Sequence, residues 1–126
     1  NGGKAVKVTY DDPVTGKPSQ ANIPYNDRGL PVFDDVAQYT TDIDKTKSRV
    51  AQMSQATRDL REGIKNGQVD PNQFTDLQIR QIKAGSAKVD GFTWHHNADS
   101  NNMQLIPQTV HDSVKHVGQG SLGEGF

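Results

Sequence analysis

All four histidines of this 126-residue chain fall between positions 95 and 116, in a stretch whose pattern reads strand, polar loop, strand, helix. Residues 88–96 read as a strand through Val89, Phe92 and Trp94, with Lys88, Thr93 and two histidines among them. Asn97 to Asn102 forms a polar loop, and Met103-Gln104-Leu105-Ile106 a second strand. Pro107 suits the first position of a helix. From there Val110, Val114 and Val117 step by four and three along one face, until Gly118, Gly120 and Gly123 end it. His95 and His96 close the first strand, His111 lies in the helix, and His116 sits near its C-terminal end. A hairpin followed by a short helix brings a strand end against a helix face, so imidazoles from both elements can converge on one cation.

Neutral imidazole is the commonest side-chain ligand of transition metals. Adjacent residues on a strand point to opposite faces, so His95 and His96 divide two jobs between them, one holding a metal while the other faces a substrate. Phosphodiester hydrolysis needs that division: a base with a pKa near 6.5 takes a proton from water, and a cation stabilises charge on the phosphate and the leaving oxygen. A structural zinc site using all four imidazoles is the alternative, although neighbouring ligands on one strand make its geometry awkward. Trp94 reads as a core residue packing behind the site, and Asp99 as a solvated loop carboxylate. His111 and His116 are five apart, roughly 140° around an ideal helix. His116 therefore either lies past the helix end or does a different job, as a metal ligand or a phosphate contact.

Upstream the signals are plainer. Val6, Val8 and Tyr10 alternate with polar residues, and Asp11-Asp12-Pro13 and Thr15-Gly16-Lys17-Pro18 read as turns. Ile23 to Gly29 is another short extended piece ending in a turn, with Phe33 and Val36 anchoring this arm. Residues 42–66 read as one long helix, with Ile43, Val50, Met53, Leu60 and Ile64 as its apolar stripe and Asn66-Gly67 as its stop. Thr75-Asp76-Leu77-Gln78 is a capping-box pattern. It opens a short helix with Leu77, Ile79 and Ile82 towards the interior and Gly85 at its end.

Composition bounds the function. Hydrophobic residues make up 32% of the chain, below the usual globular share, so the core is modest. The length suits one domain over 1–126: an extended arm over 1–40, a helical part over 41–86 and the histidine motif over 88–118. There is no cysteine, which excludes disulfides and thiolate metal sites. No apolar run approaches the roughly 18 residues of a membrane span, and no signal peptide opens the chain. Asn1 rather than Met is the first residue, from which a detached piece of a longer protein is expected. A net charge of −1 weighs against nucleic-acid binding, where a basic patch is usual. The cations nearest the histidines are Lys115 and the group Arg80, Lys83 and Lys88. Lys88 and Lys115 are the ones expected at the substrate, with protonated histidines and a bound cation adding to them.

The run Gly91-Phe92-Thr93-Trp94-His95-His96, then Met103-Gln104-Leu105-Ile106-Pro107, then His111 and His116-Val117-Gly118 resembles the WHH branch of the HNH (ββα-metal, or His-Me finger) nuclease superfamily. Tyr25-Asn26, Gly29, Pro31-Val32-Phe33, Phe74-Thr75 and Gln81 to Gly85 resemble segments that precede the motif, so the likeness spans most of residues 23–118. The resemblance implies an α+β fold, with a mostly helical N-terminal part and a C-terminal ββα-metal finger. It implies His96 as general base and His95, His111 and His116 as metal ligands. It also implies a divalent cation, with zinc or nickel favoured by imidazole and magnesium or manganese as alternatives in catalysis. Members of the family are commonly C-terminal cargo of large secreted bacterial toxins, delivered by contact-dependent and related systems into the target-cell cytoplasm and neutralised by a cognate immunity protein. The expected activity is a metal-dependent endonuclease acting on DNA. RNA hydrolysis at the same site, or a non-enzymatic zinc-stabilised binding module, are the competing expectations.

Overall fold

The computed structural model describes residues 5–97 and 101–117, with side chains through Val114. The expectations for Asp99, for the glycines after Val117 and for the side chains of Lys115 and His116 lie outside the described residues. The fold is α+β, with two small antiparallel sheets. Ala5–Asp11 (β1) and Pro18–Pro24 (β2) pair over seven residues, from Ala5 opposite Pro24 to Asp11 opposite Pro18. Asp12 turns the hairpin, its carboxylate accepting from the amides of Val14 (2.8 Å) and Thr15 (3.1 Å). The extended arm expected over 1–40 is thus a paired hairpin. The alternation of Val6, Val8 and Tyr10 marked only one of its strands, because Ala21 and Ile23 are the sole apolar signal in the other.

Tyr39–Asp42 (β3), Phe92–His96 (β4) and Asn102–Pro107 (β5) form the second sheet, with β5 in the centre. The part before β4 therefore holds three strands as well as helices, rather than being mostly helical. Arg49–Lys65 (α1) starts seven residues later than expected. Asp42 ends β3, Asp44 turns the chain by accepting from the amide (2.9 Å) and hydroxyl (2.6 Å) of Thr46, and Ser48 caps the helix by accepting from the Ala51 amide at 3.2 Å. The buried face of α1 is Gln52, Ala56, Thr57, Leu60 and Gly63. Val50 is 65% exposed, and Ile43 packs from before the helix. Asp76–Lys83 (α2) shows both halves of the capping box: Gln78 N–H donates to Thr75 Oγ1 at 3.1 Å, and Thr75 N–H to Gln78 Oε1 at 2.9 Å. Ile82 is buried, but Leu77 is 42% exposed.

Two cores lie on the two faces of the second sheet. One gathers Phe92, Trp94, Met103 and Leu105 with Ala56, Leu60 and Ile82. The other gathers Ile106 with Val8, Ala21 and Ile23 of the hairpin, Phe33, and Val110 and Val114 of Gln108–Val117 (α3). Pro107 is the last residue of β5, and the helix follows without a loop. The strand expected over 88–96 is shorter, because Val89 to Phe92 is a turn, with Phe92 N–H on Val89 C=O at 2.9 Å. The buried Gln78 side chain ties that turn to the hairpin, donating to the carbonyls of Pro13 (3.0 Å) and Asp90 (2.9 Å). Among the described residues, no helix is long and apolar enough to cross a membrane.

Gly91 sits at φ +78°, and a Cβ there would approach Pro13 Cβ to 2.8 Å. Both the left-handed backbone and the contact oppose a side chain. Gly91→Ala is expected to lower stability by about 1–3 kcal/mol, read as a fall in Tm. An unchanged Tm would show that the hairpin turn moves aside freely.

Candidate functional site

The end of β4 alternates as a strand must. Trp94 points to the α1 side, is 2% exposed, and donates from its indole N–H to Thr57 Oγ1 at 3.0 Å. His95 points to the opposite face. Its ring meets Phe33 edge-on, with centroids 4.7 Å apart, and lies 5.4 Å from the ring of His111 on α3. Phe33 also flanks His111, with centroids 6.1 Å apart. The strand end and the helix face thus meet behind one aromatic wall, as the element order predicted.

Both imidazoles are buried, with His95 5% and His111 7% exposed. Burial, and then the positive charge His111 and His96 would carry, push His95 down to about 3, against a hydrogen bond with Asn97. His95 is therefore neutral at physiological pH and keeps a lone pair. Its Nδ1 is buried without a hydrogen-bond partner. Leaving such an atom unsatisfied costs about 1–3 kcal/mol. Two imidazoles bound to one tetrahedral cation through nitrogens about 2 Å away hold their ring centres roughly 5 Å apart. The 5.4 Å separation fits two corners of that shell. Among the described residues no group of three metal-ligating side chains gathers. α3 runs through Val117, which places position 116 in its last turn and not past the helix end.

His96 turns away from this pair, back to the α1 side. It is half-buried and lines an open groove of 270 Å³ with Lys45, Arg49, Gln52 and Met103. Burial, followed by the charges of Lys45 and Arg49, holds its imidazole below the ordinary range. Lys45 and Arg49 were not anticipated from the sequence. The available signal was three cations in five residues at Lys45, Lys47 and Arg49, about fifty positions from the histidine they meet.

Lys88 is not brought to the histidines. Its ammonium donates to the Phe92 carbonyl at 2.8 Å and to Gln108 Oε1. That is the opposite end of β4 from His96, roughly 13 Å along the strand. The cause is the Val89–Phe92 turn, which folds the residue back on the strand start.

A second feature escaped the sequence. Gln104, 4% exposed and opposite His95 on β5, donates to Asp34 Oδ1 (2.8 Å) and Thr40 Oγ1 (3.3 Å) and accepts from Asn97 Nδ2 (3.2 Å). Asn97 also donates to Asn102 Oδ1. This polar lattice fixes the strand ends on which both histidines stand.

Residues 23–118 match the family model of the DNase/tRNase domain of colicin-like bacteriocin. No curated protein and no solved structure matches the chain.

Proposed function

The chain belongs to the family of DNase/tRNase domains of colicin-like bacteriocins, a nuclease toxin domain, and from that premise we propose that it is a metal-dependent HNH endonuclease of the WHH branch. Its preferred substrate in this reading is DNA, with RNA as the alternative. The observation that carries the proposal is the pairing of His95 with His111, with a third histidine, His96, on the opposite face of β4.

His95 and His111 would hold the cation, and His116 would complete the ligand set or contact phosphate. His96 takes the proton from the attacking water. When bound, the cation supplies Lewis-acid stabilisation of the phosphate and the leaving oxygen. The ββα-metal finger in this reading is β4, β5 and α3. Lys115 stands on the finger's helix as a phosphate contact. Imidazole donors favour zinc or nickel as the resident ion, with magnesium or manganese as alternatives during turnover. The whole chain forms one toxin domain, delivered as the C-terminal part of a larger secreted bacterial effector. It acts in the target-cell cytoplasm, and a cognate immunity protein protects the producer.

The test is incubation with supercoiled plasmid and with structured RNA under zinc, nickel, magnesium and manganese, each beside a chelator control. Plasmid cleavage is expected to require metal and to stop on chelation. Cleavage that persists in chelator refutes the metal dependence, and no cleavage of either polymer under any of these ions refutes the nuclease.

A further inference from the structure

We propose that Lys45 and Arg49 form a backbone-phosphate contact for the nucleic-acid substrate, on the side of β4 opposite the His95–His111 pair. The inference rests on the nuclease reading and adds two substrate-binding residues to it.

The groove that His96 enters has one chemical character. Its floor is Met103, fully buried, and Gln52, whose amide donates to the Lys47 carbonyl at 2.7 Å. Its remaining lining side chains are Lys45, Arg49 and His96. Among the described residues no carboxylate lines it. The nearest acid in sequence, Asp44, is engaged by Thr46 and interacts with Lys47. In a chain of net charge −1, an open depression walled by cations is not a by-product of composition. Lys45 and Arg49 are both exposed along the open groove.

Position decides which phosphate. The pair that fits the cation lies across the sheet, behind Phe33. A phosphate at Lys45 and Arg49 lies on the His96 side of the sheet, and the two side chains serve affinity and placement of the backbone there. Such contacts raise affinity through counterion release and carry no base information.

The experiment measures binding of a labelled duplex oligonucleotide by fluorescence anisotropy, with chelator present, between about 50 and 200 mM salt. Lys45→Ala with Arg49→Ala is expected to weaken binding roughly tenfold or more at the low-salt end and to make the salt slope shallower by about 2, one per lost phosphate contact. Lys45→Gln with Arg49→Gln keeps the stems and separates charge from packing, and it should behave the same way. Lys7→Ala with Lys17→Ala, on the hairpin, controls for general charge loss and should leave the slope unchanged. In the cleavage assay the groove variants should raise KM by a larger factor than they change kcat. Wild-type binding and slope in the groove variants overturn the proposal, as does a loss no greater than that of the hairpin variant. A wild type that binds with this salt dependence but cuts neither polymer refutes the nuclease reading and leaves the contact standing. A wild type that binds neither the duplex nor structured RNA overturns both.

Discussion

His96→Ala is expected to lower the rate of metal-dependent cleavage by about 10²–10⁴, with Tm near that of the wild type. His96 is the last residue of β4, half-buried and facing the open groove. Its removal takes away the proposed proton acceptor at a half-buried position that belongs to neither apolar core cluster. The measurement is initial rate on supercoiled plasmid beside thermal unfolding. A fully active variant rules out His96 as the base. A lost rate with an equally collapsed Tm reassigns it to the fold. His95→Ala makes the contrast: it removes a buried ring packed edge-on against Phe33 and tilted beside His111, and is expected to lose both metal affinity and stability.

Trp94→Ala carries the largest effect on stability, about 3–5 kcal/mol. The indole is 2% exposed in the core shared with Phe92, Met103 and Leu105, and its N–H donates to Thr57 Oγ1. Truncation leaves a cavity between β4 and α1. The Thr57 hydroxyl keeps its own bond to the Met53 carbonyl at 3.1 Å, so the loss is mainly packing. Trp94→Phe retains most of the volume and sheds the hydrogen bond, for about 1 kcal/mol. Urea unfolding of the two variants checks the order. Equal losses would mean that the indole N–H, and not the ring volume, holds the helix to the sheet.

What the sequence made legible was local. The strand–strand–helix order of the last third, the capping box at Thr75 and Gln78, and the stop at Asn66-Gly67 each depend on residues within a few positions of one another. So does the assignment of His95 and His96 to opposite faces. What stayed illegible depends on partners far along the chain. Tyr39-Thr40-Thr41-Asp42 has no apolar alternation and is a strand because β5 offers it an edge. Val50 was read into the apolar stripe of the long helix, but the buried face runs through Gln52, Ala56, Thr57, Leu60 and Gly63 and leaves Val50 65% exposed. Gln78 and Gln104 are buried through hydrogen bonds to residues as distant as Pro13 and Asp34, so neither read as interior. Lys45 and Arg49 belong to the site by the path of β3 into α1, which no spacing rule encodes.

The two central imidazoles are consecutive in the chain, so which of them sits dry and which sits wet is a matter of parity. It is decided by the rung that pairs His95 with Gln104 and His96 with Met103. Sliding that ladder by a single rung would exchange the two rings wholesale, sending the groove-facing one behind Phe33 and the hidden one out among the cations. The amide lattice of Asn97, Asn102 and Gln104 is thus more than a brace. It keeps odd and even positions apart, and with them the two halves of the chemistry.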